Sequence, residues 1–486
     1  MPNPNGEGDA AAVAAELADL IERQRRTIAA ERLAWAGPDA VRDDLAEVEQ
    51  RLAALGGSVR QTIEAWRLTP ALVYELNRSA GVATAALRHT PPLAGLPEAV
   101  HPLQQAVQPA PYIMDYARSG ARLSYVAQAP FITGVDHPLL AEAAERARRT
   151  IHGAGAGRSL LFGSGMGAMN TAIDFMAQTA RAAGRRNLLG RHSWIEVQAY
   201  ALEQHPDTFT LVDETDADAL ASALADPAVF GVIIEPLPNH PTMPVAALDV
   251  CYSALENTER MLLLDAAHTP EVAPRVIPGV ITLSVVSGVK FLQAGLDLGK
   301  SGLLTFWGDD RGAFARILEL RERSGRVPSF TEARLACLDD HASFQARLAR
   351  YDRNMRAWAA HLDAGLRGSD LTVVSPWLED HPHHARSATI GGGRFVYLGH
   401  RSGTSLLGVD RWLCTEAAAR DLPGVAACTF GLNVPHANII VGADGTTFLR
   451  LSSGSDSSAS SDRVVALWSE LLAERFRPAT KRSARR

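Results

Sequence analysis

The chain has 486 residues, 47% of them hydrophobic and 21% charged, an ordinary globular composition that excludes a fibrous, collagen-like or largely disordered protein. Its 48 Lys and Arg against 54 Asp and Glu leave a net charge of -6, so nucleic acid is not expected as a partner, and the basic stretch RFRPATKRSARR at 475–486 reads as a solvated end. Cys251, Cys337, Cys414 and Cys428 are too sparse for a disulfide scaffold and form no CxxC pair. With no basic region ahead of an apolar run near the N-terminus and no run of roughly 18 apolar residues, a soluble, cytoplasmic protein with no membrane partner and no metal is expected.

From Ala10 to about Arg88 the sequence is rich in Ala, Leu, Glu and Arg at helical spacing, as in LAEVEQRLAAL, which predicts a helical N-terminal extension over 1–88 serving packing or dimer contacts. A Pro-rich connector, HTPPLAGLPEAVHPLQQAVQPAPY, opens the segment 89–150. Short apolar runs then alternate with helical segments. HPLLAEAAERARRTI precedes SLLFGSG, GAMNTAIDFMAQTARAAG precedes NLLG, and VFGVIIEP, MLLLDAA, ITLSVVSG and GLLTFWG have buried-strand length. This alternation predicts an α/β large domain over 151–330 with a mostly parallel, covered sheet. A long helix over LDDHASFQARLARYDRNMRAWAAHLDAGL, then strands at RFVYLGH, CTFGLNV, ANIIVGA and TTFLRLSSG, predict a smaller C-terminal α+β domain over 331–486.

Lys290, in SVVSGVKFLQAG, stands alone among small and apolar residues after an apolar strand. A lysine so placed is costly unless its amine is neutralised or engaged in a Schiff base, although one snorkelling from a strand end gives the same pattern. Asp265 ends the run MLLLD, so its carboxylate should emerge at the C-terminal end of a buried strand, where open α/β sheets bind ligands. There it could keep a pyridinium nitrogen protonated and make pyridoxal phosphate an electron sink. Ser164-Gly165-Met166-Gly167 lies between a strand and a helix, a turn that aims backbone N–H groups at a phosphate, though many such turns bind nothing. Asn239, after the next strand, suits either a ring hydroxyl or a plain turn beside Pro.

The order Tyr116-x-Arg118, Ser164-Gly165-Met166, Glu235…Asn239, Asp265, Ser287-x-x-Lys290, Ser405-Leu406-x-Gly408 and Arg450-Leu-Ser-x-Gly454 resembles the Cys/Met-metabolism family of pyridoxal-phosphate enzymes, over about residues 110 to 470. That family includes cystathionine γ-synthase, the γ-lyases and O-acylhomoserine sulfhydrylases, all of fold type I, which is the aspartate aminotransferase-like fold. The resemblance implies that Lys290 carries the cofactor and shuttles protons, that Asp265 pairs with the ring nitrogen, and that Asn239 meets the ring oxygen. Gly165, Met166 and Ser287 would hold the phosphate, with Tyr116 and Arg118 reaching it from a neighbouring subunit. Arg450, with Ser405, would bind the substrate, the guanidinium clamping its α-carboxylate. Shared sites imply a homodimer or homotetramer.

Three departures qualify the resemblance. The family's S-x-T-K is Ser287-Gly288-Val289-Lys290 here, so one phosphate hydroxyl is missing. The segment after Asp265 reads AAHTP, and DAAH is similar to cysteine desulfurases and decarboxylases of the same fold. The place of a ring-stacking, proton-donating tyrosine holds Trp194, with His192 as the other candidate; an indole stacks but has no acidic O–H. The expected activity is therefore γ-elimination or γ-replacement on an amino acid whose γ-substituent leaves well unaided, such as a halide, O-acyl, phosphate or sulfonium group, as in specialised biosynthesis. The alternatives are an aminotransferase, desulfurase or β-lyase on this fold, or a catalytically silent relative with an interaction role.

Overall fold

The computed structural model describes residues 22, 26 and 29 and then 138–155, 157–293, 300–308, 312–328, 333, 340–391, 393–426, 430, 434–442, 445–455 and 458–478. The helical extension expected over 1–88, and Tyr116 and Arg118 in the connector, thus fall almost wholly outside the described residues.

Seven strands make the first sheet: β1 (Arg158–Phe162), β2 (Arg186–Gly190), β3 (Phe209–Val212), β4 (Val229–Ile234), β5 (Met261–Asp265), β6 (Ile281–Ser287) and β7 (Gly302–Trp307). Their spatial order is β1-β7-β6-β5-β4-β2-β3, and all run parallel except β7, which is antiparallel to both neighbours. Every residue of β4, β5, β6 and β7 is buried, which explains their unbroken apolar runs: a parallel sheet covered on both faces has no polar side to alternate with. β3 was not legible in the sequence because it lies at the sheet edge and exposes its two middle residues.

Helices α1 (Pro138–His152), α2 (Gly165–Ala182), α3 (Ile195–Gln204), α4 (Ala217–Ala225), α5 (Leu248–Leu255), α6 (Gly288–Phe291) and α7 (Ala313–Arg323) connect these strands. α2 is the most enclosed, burying Met166, Met169, Ile173, Phe175 and Met176 together with a row of Gly and Ala that lets it approach the sheet closely. Ser164 starts it, its hydroxyl accepting from the Gly167 amide at 2.9 Å, the usual service of a serine N-cap.

A second, five-stranded sheet follows the long helix α8 (His341–Gly365), whose N-cap Asp340 accepts from the Ser343 amide. It comprises β8 (Leu371–Val374), β9 (Val396–His400), β10 (Val425–Ala426), β11 (His436–Val441) and β12 (Thr447–Ser452), in the order β10-β11-β12-β9-β8. All pairs are antiparallel except β10 with β11. Helices α9 (His384–Ser387), α10 (Val409–Ala418) and α11 (Ser458–Arg475) complete this part. Trp358 of α8 and Trp468 of α11 meet edge to face in its core, their indole N–H groups satisfied by Ser461 and the Leu413 carbonyl. The architecture is the expected one, a mostly parallel α/β sheet followed by a smaller α+β unit. Of the expected strands, CTFGLNV lies largely outside the described residues. No helix among the described residues is long and apolar enough to cross a membrane.

One glycine fixes how α2 meets the sheet. Gly302 pairs with Ser287 across β7 and β6, and a Cβ on it would collide with the Ser164 carbonyl and stand 2.7 Å from the Gly165 Cα. Gly302→Ala is therefore expected to destabilise the fold by about 1–3 kcal/mol, the usual cost of overpacking. Urea unfolding followed by far-UV circular dichroism measures this; an unchanged midpoint would contradict the close approach.

Candidate active site

The parallel strands end along one edge of the first sheet, and charged residues stand where they end. Glu235 follows β4, Asp265 closes β5, and Lys290 lies in α6 three residues beyond the end of β6. Only three lysines occur in the whole chain, Lys290, Lys300 and Lys481. Asp265 is 5% exposed and Glu235 2% exposed, while Lys290 is half-buried with its ammonium 4.2 Å from the centre of the Phe430 ring.

Burial pushes the Lys290 amine below the usual lysine range, opposed by the attraction of Asp265 and reinforced by the nearby Arg450 cation. Burial likewise raises the Asp265 carboxyl, against the Ala267 amide and Lys290, and raises Glu235 further because the Asp265 charge adds to the desolvation. Asp265 Oδ1 accepts from the Ala267 amide at 3.0 Å, which leaves Oδ2 for another donor. Glu235 spends its oxygens on backbone, accepting from the Trp194 amide at 3.0 Å and the Asn239 amide at 3.2 Å. It thereby ties the loop after β2 to the loop after β4.

The second sheet delivers two more groups. Arg450 on β12 and Tyr397 on β9 are register partners, and both donate to Asn239 Oδ1, at 3.1 Å and 2.7 Å. With Oδ1 so engaged, the Asn239 Nδ2 side is the one turned to other partners. Arg450, 2% exposed, also lies over Phe395 and Phe430.

Beside this group, α2, β6 and β7 meet at a small-residue junction. The Ser164 cap takes only the Gly167 amide, so the Gly165 and Met166 amides at the head of an 18-residue helix have no side-chain cap. A Cβ on Gly165 would stand 3.3 Å from the Cβ of Ser287. The hydroxyls of Ser287 and Ser301 are both buried and have no hydrogen-bond partner among the described residues, a condition native proteins rarely leave unanswered.

Of the two aromatic candidates, Trp194 lies beside the charged cluster. Its indole packs partly buried against the core on α2, with its N–H toward the carboxyl of Glu196, a group that also senses Lys290. His192 turns away to Glu214, its Nδ1 3.3 Å from Oε1 of that fully buried carboxylate, and faces His240 edge-on. Glu214, then burial acting the other way, sets a His192 pKa above the usual value. Asp213 lies close to this pair. Ser405 is exposed on the turn between β9 and α10, its hydroxyl accepting from the Leu407 amide, and no contact joins it to the cluster among the described residues.

No protein-family profile matches the chain, and no curated protein sequence does. Solved structures do. MetB of Corynebacterium glutamicum superposes with a TM-score of 0.57 at 18% identity, covering 71% of this chain and 88% of its own. Cystathionine gamma synthase of Xanthomonas oryzae pv. oryzae, solved with cystathionine, gives 0.54 at 20% identity over 72% and 91%. A protein of Campylobacter jejuni assigned as an O-acetylhomoserine (thiol)-lyase, whose structure holds an N'-pyridoxyl-lysine-5'-monophosphate, gives 0.55 at 16% identity over 70% and 86%. The fold is fold type I, as in these Cys/Met-metabolism enzymes.

Within fold type I, the DAAH sequence takes on a different meaning here. His268 is 1% exposed, with Nδ1 2.7 Å from the Leu237 carbonyl and Nε2 accepting from the Arg394 amide at 3.1 Å, and it stacks on Phe395 at 4.1 Å. Both ring nitrogens are thus committed to joining the two sheets. Burial pushes its pKa well below the usual value, helped by the cations of Arg394, Lys290 and Arg450. Glu235, Glu196, Tyr397, His268 and Ser301 were not given roles by sequence reasoning. The one local signal was for Glu235, a carboxylate that abruptly ends the apolar run VFGVII.

The His268 geometry is checked by nitrogen-resolved NMR of the imidazole. At pH 5.5, where an exposed histidine is mostly protonated, His268 is expected to remain the neutral Nδ1–H tautomer. A doubly protonated ring at that pH, in protein that is still folded, would contradict the assignment.

Proposed function

We propose that the chain is a pyridoxal-phosphate enzyme that breaks the bond to a γ-substituent of an amino acid, by elimination or replacement. The observation that carries this is the convergence at one sheet edge of Lys290, a buried carboxylate with one oxygen open, and a small-residue junction where the buried Ser287 hydroxyl stands beside Gly165 at the head of α2. The cofactor fits these residues. Its phosphate would lie at the head of α2 with the Gly165 and Met166 amides and Ser287, its ring nitrogen at Asp265, its ring oxygen at Asn239, and its aldehyde carbon at Lys290. When bound, pyridoxal phosphate supplies an electron sink for bond breaking beside the amino group. The neighbours named above, one solved with cystathionine and one with the pyridoxyl-lysine adduct, support the same reading.

The chain's own residues have separable tasks. Asp265, whose carboxyl burial pushes toward its neutral form, would hold the ring nitrogen and would itself be kept ionised by a cation there. The Lys290 Nζ, whose pKa burial lowers, would take a proton from the substrate α-carbon and pass protons at the β-carbon. Arg450, oriented by Asn239, binds the substrate carboxylate. Glu235 keeps the Trp194 loop in register with Asn239 and has no proton-transfer task.

Among the described residues no group is well suited to protonate a departing thiolate. The Trp194 N–H faces Glu196, and the Tyr397 hydroxyl is committed to Asn239, with burial raising its pKa and so weakening it as an acid. We therefore assign a substrate whose γ-group leaves well unprotonated, a halide, carboxylate ester, phosphate or sulfonium, in specialised biosynthesis. The DAAH-based alternatives lose their motive, since His268 serves the sheet junction. We further assign a large domain over 151–330, a C-terminal domain over 331–486, and a homodimer or homotetramer in which Tyr116 and Arg118 serve a neighbouring site.

Mass spectrometry of products from a substrate panel tests this. The enzyme is expected to turn over γ-chloro and O-acyl amino acids or S-adenosylmethionine much faster than cystathionine or methionine; comparable turnover of cystathionine would overturn the leaving-group assignment. Arg450→Ala is expected to lose about 2–5 kcal/mol of amino-acid binding, because a buried carboxylate is left without its partner. Calorimetric titration showing undiminished binding would place the clamp elsewhere.

A further inference from the structure

β2 and β3 are parallel neighbours, so the segments that follow them open at the same edge of the first sheet. The first carries His192, and the second begins with Asp213 and Glu214. One ligating atom from each of these three side chains lies within 4.8 Å of the other two. The Glu214 side chain is 0% exposed, seated so close to the end of β2 that a Cβ on Gly190 would stand 2.9 Å from its carboxyl carbon. Its carboxylate receives one hydrogen-bond donor among the described residues, the His192 amide, 3.0 Å from Oε1 and 3.4 Å from Oε2. A carboxylate so deeply buried is costly unless a cation stands against it.

His192 Nδ1 lies 3.3 Å from Glu214 Oε1, yet it is buried and forms no hydrogen bond among the described residues, so the contact has the distance of a hydrogen bond without its alignment. Two ligand atoms each about 2.0–2.1 Å from a tetrahedral ion stand roughly 3.3–3.4 Å apart, which matches the pair. Asp213 commits Oδ1 to the Thr215 amide and hydroxyl and the Asp216 amide, leaving Oδ2 with only the exposed Arg191 guanidinium, 4.0 Å away. His240 faces His192 edge-on at 5.2 Å, its Nδ1 engaged by Thr242, and its Nε2 has no partner among the described residues. We propose that His192, Asp213 and Glu214 bind a divalent cation of the zinc type, with His240 in reach of a fourth position. The imidazole selects such an ion over magnesium or calcium, which prefer all-oxygen sites. The ion would fasten the turn after β2 to the segment after β3, and so steady the loop carrying Trp194 from the side opposite Glu235. The proposal does not depend on the cofactor reading.

The enzyme as purified, dialysed against a chelator, is titrated with zinc chloride by calorimetry and with cobalt chloride by visible absorbance. Wild type is expected to bind one zinc per chain, with a rise in thermal midpoint. Asp213→Asn and Glu214→Gln are each expected to weaken zinc binding by about tenfold or more, since losing even an outer partner of a metal ligand costs about 10–100-fold. Asp213→Asn, at a partly exposed side chain, decides the question even if Glu214→Gln does not fold. A control variant, His381→Ala with His384→Ala, removes two histidines of the nearby histidine-rich turn and is expected to bind zinc as wild type does. No uptake by wild type at millimolar zinc would overturn the proposal and leave His192 and Glu214 as an ion pair. Undiminished binding by folded Asp213→Asn would also overturn it, as would an equal loss in the control variant, which marks a surface histidine site.

Discussion

Two carboxylates withdrawn from water, Asp265 and Glu235, stand beside the ammonium of Lys290 and the guanidinium of Arg450, and the arrangement is stable only as a balanced group. Removing any one member strands a charge in a poorly hydrated place. Each is accordingly delivered by a rigid element: Asp265 and Glu235 by the ends of adjacent fully buried strands, Lys290 by the short helix after a third, and Arg450 by the second sheet. Glu235 is further held by two backbone amides, which blunt but do not remove the cost of its burial.

The balance requires the two sheets to keep one relative position, and a second set of contacts provides that. His268 joins the Leu237 carbonyl of the first sheet's loops to the Arg394 amide ahead of β9, and Asn239 receives donors from both β9 and β12. Arg394, almost fully buried, is paired with Glu271 and Asp352. These contacts leave few alternative packings for the edge where the charged groups meet. They also explain why a histidine three residues beyond Asp265 is spent on structure: the site needs the junction as much as it needs another ring.

The parallel sheet was legible because buried strands announce themselves as unbroken apolar runs, and the expected sheet and the smaller C-terminal unit are both present. β3 and β8 escaped, the first as a half-exposed edge strand and the second as a four-residue run at the edge of its sheet. In the site, Lys290 and Asp265 stood out because a charge closing an apolar run has few purely structural explanations. Tyr397 and His268 did not, since their partners lie 158 and 126 residues away and nothing local marks such pairings.

The central claim is that Lys290 is the residue to which the cofactor attaches, and the rarity of lysine in this chain makes the claim unusually easy to decide. Native protein is reduced with borohydride, digested and mapped by mass spectrometry. The account expects the pyridoxyl-phosphate mass on the peptide containing Lys290 and unmodified Lys300 and Lys481. The label on either of those two, or on no lysine of protein that had been incubated with pyridoxal phosphate, would contradict it.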